Sequence, residues 1–254
     1  MATTDRIWTA ALLVIGDEIL SGRTHDKNIA AVASWLQVQG IRLKEVRVVA
    51  DEMPAIVAAV NALRDSYDYL FTTGGIGPTH DDITVDAVGE ALGVPVIIHP
   101  EARAILEDYY RDRPGGLNEA RLRMARVPEG ASLIPNRMSG APGIKWGNIH
   151  LMAGVPSITA QMLDALTGTL EGGAPLLAET VGGWIRESEV ASLLRQTEKD
   201  HPGCQIGSYP FFREGRTGAN FVVRSTDADL LAACMAALCA GLDTLGLAYT
   251  PGGI

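Results

Sequence analysis

At 254 residues, with 47% apolar and 20% charged positions, the chain has an ordinary globular composition and enough length to bury a full core. Its net charge of −9 and pI near 5.0 argue against a general nucleic-acid or anionic-membrane surface, either of which needs a basic face. An anionic small molecule stays open, met by backbone amides, a few cations or a bound metal. Cys204, Cys234 and Cys239 are odd in number and lack a C-x-x-C pair, so they read as reduced thiols rather than a disulfide framework. Met1 to Trp8 is polar with no visible signal peptide, and the longest apolar stretch, Leu230 to Leu242, falls short of the ~20 residues that span a bilayer. These features predict a cytoplasmic protein that acts on neither membranes nor nucleic acid.

In chain order, Thr9 to Ile15 is a continuous apolar run, the pattern of a strand covered on both faces. A helix follows, with Ile29, Val32, Ala33 and Leu36 on one face, Asp26 and Asn28 as N-cap candidates and Gly40 as its stop. Ile41 to Val49 reads as a strand, Met53 to Leu63 as a helix with Pro54 in its first turn, and Tyr69 to Thr72 as a short buried strand. Thr84 to Leu92 is a helix ended by Gly93, Val94 to Ile98 a strand, and Pro100 opens a helix to about Arg111. Glu119 to Arg126 reads as a short helix, Ser132 to Ile134 as a strand, Gly143 to Met152 as a hairpin turning at Gly147-Asn148, and Ile158 to Leu170 as a helix. This alternation predicts a three-layer αβα domain with a mostly parallel sheet over residues 1–171. The turn-rich Glu171 to Pro175 is the boundary candidate, and the strand-helix-strand-strand-helix order beyond it predicts a small α+β unit of ferredoxin-like type over residues 176–254.

The feature richest in chemistry is Thr72-Thr73-Gly74-Gly75-Ile76-Gly77-Pro78-Thr79-His80-Asp81-Asp82-Ile83-Thr84, running from a strand's carboxyl end to a helix start. Ligands of open α/β sheets lie at that edge, and glycines let backbone amides approach a phosphate there. Three glycines flanked by threonines exceed what a simple Asp N-cap needs. Asp81, Asp82 and Asp86 would repel a phosphate at close range. Either some of them cap the helix and point away, or a divalent cation such as magnesium bridges carboxylate and phosphate oxygens. A second loop, Gly16-Asp17-Glu18-Ile19-Leu20-Ser21-Gly22, brings two carboxylates to the same edge, and Asp51 follows the next strand. Ser139-Gly140-Ala141-Pro142-Gly143 and Ala153-Gly154-Val155-Pro156-Ser157 are small-residue loops around the hairpin, the latter leading into a helix. The histidines form no ligand pattern, although His80 lies beside the aspartates. No Ser/His/Asp or Cys/His nucleophile arrangement is legible.

Through IGDEILSG (Ile15 to Gly22), TTGGIGPTHDDIT (Thr72 to Thr84), Pro142-Gly143 and Gly154 to Ser157, the sequence resembles the molybdopterin-binding fold of the MoaB/Mog type. Within that type it is most similar to the N-terminal module of competence/damage-inducible proteins. The resemblance covers about residues 9–170, and Gly207 to Pro210 (GSYP) is similar to the small subdomain that follows. It implies a molybdopterin- or nucleotide-like ligand held by Gly16, Thr73, Gly74, Gly75, Gly77, Pro78, Thr79, Thr84, Ser139, Gly140, Pro142, Gly143, Gly154, Pro156 and Ser157. By motif, the two aspartates that serve adenylyl or molybdate transfer in Mog-like members fall on Asp51 and Asp82. The resemblance implies, as an alternative, metal-dependent cleavage of a pyrophosphate in ADP-ribose or FAD. Asp17, Asp81 and Asp82 would then hold magnesium, manganese or cobalt, and a metal-bound water would attack. A homodimer or homotrimer is also implied. The chain departs from the family pattern where Leu151 to Pro156 lacks a Leu-Pro-Gly and Ile158 replaces a common glutamate, which would take a carboxylate out of the site. It ends without the downstream amide-hydrolysing domain of full-length competence proteins, so that activity is not expected.

Overall fold

The computed structural model describes residues 6–254; the polar start at Met1 to Asp5, part of the segment read for a signal peptide, lies outside the described residues. By internal contacts the chain divides into two compact units, Met1–Gly173 and Ala174–Ile254.

In the first unit the elements run β1 (Trp8–Ile15), α1 (Asp17–Leu20), α2 (Asn28–Val38), β2 (Ile41–Val49), α3 (Met53–Ser66), β3 (Tyr69–Thr73), α4 (Thr84–Leu92) and β4 (Val96–Ile98). They continue with α5 (Pro100–Tyr110), α6 (Glu119–Leu122), a 3-10 turn (Arg123–Ala125), β5 (Arg126–Pro128), β6 (Ser132–Ile134), β7 (Gly143–Trp146), β8 (Ile149–Met152) and α7 (Pro156–Leu166). Six strands form one sheet in the order β2-β1-β3-β8-β7-β6. β1, β2, β3 and β8 pair in parallel, while β7 and β6 close one side antiparallel.

The apolar run of β1 has no polar face because both sides of its sheet are covered. Ala11, Leu13 and Ile15 pack with Ile56, Val60 and Leu63 of α3 and Val85 and Val88 of α4. Their alternates Ala10, Leu12 and Val14 pack with Val32 and Leu36 of α2 and Met162, Leu163 and Leu166 of α7. A period of two along a strand divides its side chains between two helical layers, and this makes the unit a three-layer αβα sandwich. Asp26 caps the chain entering α2 by accepting from the Ile29 amide at 2.7 Å.

Val94 to Ile98 does not join this sheet. Only Val96–Ile98 is extended, and it pairs antiparallel with β5 in a separate two-stranded ribbon. Its isoleucines are exposed, so so short a strand after Pro95 is unsuited to a buried parallel position. With α5 and α6 it forms an excursion that has its own small core of Ala102, Leu106 and Ala125.

The second unit runs β9 (Leu177–Gly183), α8 (Glu187–Asp200), β10 (Gln205–Arg213), β11 (Arg216–Ser225), α9 (Ala228–Thr244) and β12 (Thr250–Pro251). Its antiparallel sheet has the order β10-β11-β9-β12, the β-α-β-β-α-β arrangement of ferredoxin-like domains. Val181, Ala219, Phe221 and Val223 meet Val190 of α8 and Leu231, Cys234 and Leu238 of α9 in its core. Asp227 caps α9 by accepting from the amides of Asp229 and Leu230 at 2.9 and 3.0 Å. No helix among the described residues is long and apolar enough to cross a membrane.

One polar side chain sits in the middle of the first unit's core. His150 on β8 is fully buried and stacked on Phe71, with ring centroids 4.9 Å apart. Neither ring nitrogen has a hydrogen-bond partner; backbone groups of Asn148 and Leu70 come close without good geometry. Burial, helped by the Lys145 charge, pushes its pKa down to about 4 from 6.5. The folded chain therefore refuses a proton that the unfolded chain takes up below pH 6.5. Stability from this group is complete above that pH and declines as the pH falls toward 4. The expected loss is about 3 kcal/mol. In urea titrations across this range, His150→Phe keeps the stacked ring and should flatten that part of the acid dependence. An unchanged acid slope in the variant would contradict this role.

Candidate functional site

Five loops separated by up to about 140 residues in sequence close around one cleft of roughly 540 Å³ at the carboxyl ends of β1, β3 and β8. Its lining includes Gly16 and Glu18 after β1, Asp51 after β2, and Gly74, Gly75, Gly77, Asp81 and Asp82 after β3. Ser139 and Ala141 contribute from the loop before β7, and Gly154, Val155 and Pro156 from the turn after β8.

The floor is a close meeting of main chains. Gly74 has φ +101°, and a Cβ there would collide with the Ile15 carbonyl oxygen. Its amide donates to the Met152 carbonyl at 3.2 Å, so one residue joins the ends of β1, β3 and β8. Gly75 is also left-handed, at φ +66°, and a Cβ there would run into the Thr84 hydroxyl. That hydroxyl donates to the Gly74 carbonyl at 3.0 Å, and the Thr84 amide donates to the Gly75 carbonyl at 3.0 Å. Thr84 thus staples the loop to the start of α4. Among the described residues, the amides of Gly75, Ile76 and Gly77 make no backbone hydrogen bond. They form a run of donors at the foot of the cleft.

The opposite wall is the start of α7. Its N-cap residue Val155 makes no side-chain cap, Pro156 has no N–H, and the Ile158 and Thr159 amides donate to the Val155 carbonyl. Among the described residues this leaves the Ser157 amide as the one without a backbone partner in the first turn of this eleven-residue helix. Asn28, buried in α2, donates to the Gly154 carbonyl at 2.8 Å, and the Thr159 hydroxyl donates to the Ala153 carbonyl at 2.6 Å. These two bonds fix the turn that leads into α7. On the third side, Gly140 at φ +72° lies against the Tyr109 ring of α5, whose hydroxyl donates to the Met138 carbonyl at 3.2 Å. The excursion thereby holds the Ser139–Ala141 edge of the cleft.

The acidic residues divide into separate roles. The Asp17 amide donates to Asp51 at 2.9 Å and the Asp51 amide to Asp17 at 3.4 Å, a reciprocal cap that joins the first two loops. Burial raises the Asp51 pKa, the Asp17 amide opposes the rise, and the charges of Asp17, Glu18 and Asp81 add to it. Asp82 folds back over its own loop and accepts from the Thr79 amide at 2.7 Å and from the Thr79 hydroxyl. A Cβ on Gly77 would touch that carboxylate, so the glycine makes room for it. Thr79 also holds the exposed Asp81 carboxyl below its ordinary range. Asp86 is drawn away from the cleft by a two-pronged ion pair with Arg126 of β5, one arm 3.1 Å long.

Of the positions named from sequence, Gly16, Asp51, Gly74, Gly75, Gly77, Asp81, Asp82, Ser139, Gly154 and Pro156 line the cleft together. Thr73, Thr84, Pro142 and Gly143 are buried, and Gly140 is packed under Tyr109; they shape the walls rather than face the space. Pro78, Thr79 and Ser157 are exposed beside the lining residues and are not among them. The expected metal ligands do not converge. Among the described residues no group of three or more His, Cys, Asp or Glu side chains could hold a metal ion. Asp17 is turned to Asp51 and Asp82 to Thr79, while His80 projects fully into solvent. Of the two carboxylates that the sequence brought to this edge in the first loop, Glu18 lines the cleft and Asp17 does not. The sequence reading missed the apolar wall of Ile76, Met124, Ile158 and Met162. Ile158, which stands where a glutamate is common, is part of that wall.

Residues 11–172 match the family described as probable molybdopterin binding domain, and residues 175–250 match the FAD synthase middle domain. A CinA-like protein of Desulfosudis oleivorans is 35% identical over 212 residues, covering 78% of this chain and 51% of that protein. This chain thus spans about half the length of that relative. A protein of Pyrobaculum calidifontis is 32% identical over 217 residues, which are 80% of each chain. The solved structure of the protein CinA with unknown function from Thermoplasma acidophilum superposes with a TM-score of 0.59 at 30% identity, covering 63% of this chain and 96% of that one. By the match over most of its length, the chain belongs to the MoaB/Mog-type family of probable molybdopterin binding domains.

Proposed function

We propose that this chain binds a phosphate-bearing pterin- or nucleotide-like ligand in the cleft, with the ligand's phosphate on the Gly75–Gly77 amides and its ring against the apolar wall. The observation that carries this reading is the convergence of five distant loops on one space of about 540 Å³, within the range of small-molecule sites. Several features of the site fit such a ligand. The Gly75 to Gly77 amides and the Ser157 amide at the start of α7 offer N–H donors to an anion. Ile76, Met124, Ile158 and Met162 offer a surface for a flat heterocycle. Glu18 is an acceptor for ring amino groups or ribose hydroxyls. The similarity of residues 175–250 to the FAD synthase middle domain adds support for a nucleotide-type ligand.

Metal-dependent pyrophosphate cleavage has weaker support. It needs a ligand set from the protein, yet Asp82 is held by Thr79, Asp17 and Asp51 by each other's amides, and among the described residues no three His, Cys, Asp or Glu side chains are grouped to hold a metal. Binding without turnover is therefore the expected behaviour. Incubation with ADP-ribose or FAD plus magnesium, manganese or cobalt should release no AMP above a metal-only blank, and release that is lost in Asp82→Ala would overturn this. Calorimetry should show ADP-ribose binding to the natural chain and at least a tenfold loss in Gly154→Glu. That substitution places a long acidic side chain on an exposed lining position, where only the Gly74 backbone comes near.

The raised Asp51 pKa gives the binding a pH signature. Asp51 loses its charge at a higher pH than an ordinary aspartate, so acidification removes a negative charge from the cleft early. The pyrophosphate diester of ADP-ribose keeps its charge throughout, and its affinity should rise as the pH falls from 7 into the carboxylate range. Asp51→Asn should bind more tightly at pH 7 and show a flat profile. A profile in the variant that still follows the natural chain would assign the titration elsewhere.

A further inference from the structure

The cleft presents four carboxylates, Glu18, Asp51, Asp81 and Asp82, and no basic side chain lines it. An anionic ligand held there needs a cation from just behind the lining. Arg123, in the 3-10 turn after α6, is the one the fold places there. Its Nη2 donates to the Asp82 carbonyl at 3.3 Å, which sets the guanidinium against the glycine-rich loop. Its chain neighbour Met124 lines the same cleft. Unlike Arg126, three residues on and tied to Asp86, Arg123 is paired with no carboxylate among the described residues. Its Nε is buried and has no hydrogen-bond partner. A guanidinium held by a single carbonyl just behind the lining keeps N–H capacity in reserve, and a turn of its terminal nitrogens toward the cleft would give it a phosphate oxygen to bind.

We propose that Arg123 is the charge partner of the ligand's phosphate, so that the cleft selects phosphate-bearing ligands over the same ring system without phosphate. This rests on the reading of the cleft as a ligand site. The planar fork of arginine pairs two phosphate oxygens at once, whereas lysine offers a single point charge. The Asp82 carbonyl orients that fork. The excursion between α4 and β6, which otherwise only props the cleft edge, thereby supplies the countercharge that the acidic lining lacks.

The test is calorimetry with ADP, inorganic pyrophosphate and adenosine on the natural chain, Arg123→Gln and Arg123→Lys, with a urea midpoint for each. The natural chain should prefer ADP to adenosine by at least about tenfold. Arg123→Gln should lose about tenfold for ADP and pyrophosphate and less than twofold for adenosine, at a nearly unchanged midpoint. Equal losses for ADP and adenosine together with a lowered midpoint would show a structural arginine and overturn the proposal, leaving the cleft as a binding site. No binding of any probe by the natural chain would overturn the cleft reading itself, and the proposal with it. Should Arg123→Gln not fold, Arg123→Lys decides: it must lose at least about threefold for ADP and not for adenosine, and unchanged ADP affinity refutes the fork.

Discussion

The site depends on one close approach of main chains, at Gly74. Its amide reaches the end of β8, its α-carbon lies under the Ile15 carbonyl at the end of β1, and its own carbonyl is taken by Thr84 at the start of α4. Any side chain at this position would push β1 and β3 apart, and the positive φ would be strained besides. Once the strands are locked at this spacing, the loops that follow them have nowhere to go but around the same hollow. Gly154 approaches Gly74 from the β8 side, and Asp17 and Asp51 bind each other's amides across the β1 and β2 ends.

That geometry also resolves an electrostatic conflict. A loop that offers amides to an anion carries aspartates at its far end, and at first sight the two work against each other. The structure separates them. Asp86 is neutralised by Arg126, and Asp82 spends its carboxylate on Thr79, which shapes the turn. Glu18, Asp51 and Asp81 remain at the rim, where burial, and after it the charges of its neighbours, raises the pKa of Asp51. A ligand with a phosphate at one end and hydrogen-bond donors at the other matches this polarity, with amides below and carboxylates above.

Much of this was legible in the sequence. The β1 run without a polar alternate could only be a strand covered twice, and the two glycine-rich motifs fell at strand ends because each follows such a run. Their meeting at one rim follows from parallel pairing, which puts the carboxyl ends of β1, β3 and β8 on one side. Three aspects were not legible. Val96–Ile98 has the composition of a sheet strand, but its fate depended on a partner, β5, of which only Arg126 fell in any predicted element, a helix. Thr84 and Gly143 were read as ligand contacts because they sit in motifs, yet motif membership does not distinguish a residue facing the cleft from one bracing it. Metal ligation was inferred from adjacent carboxylates, whereas their directions are set by hydrogen bonds to Thr79 and to the Asp17 and Asp51 amides, which spacing alone does not reveal. Met124 and Arg123 came from an excursion that carries no motif.

The most direct test of the central claim is amide chemical-shift mapping of the labelled chain titrated with ADP. The account predicts that the largest saturable shifts fall on the Gly75, Ile76, Gly77 and Ser157 amides, which frame the hollow from two sides. Saturable shifts confined to residues beyond Gly173, with those four amides unmoved, would contradict it.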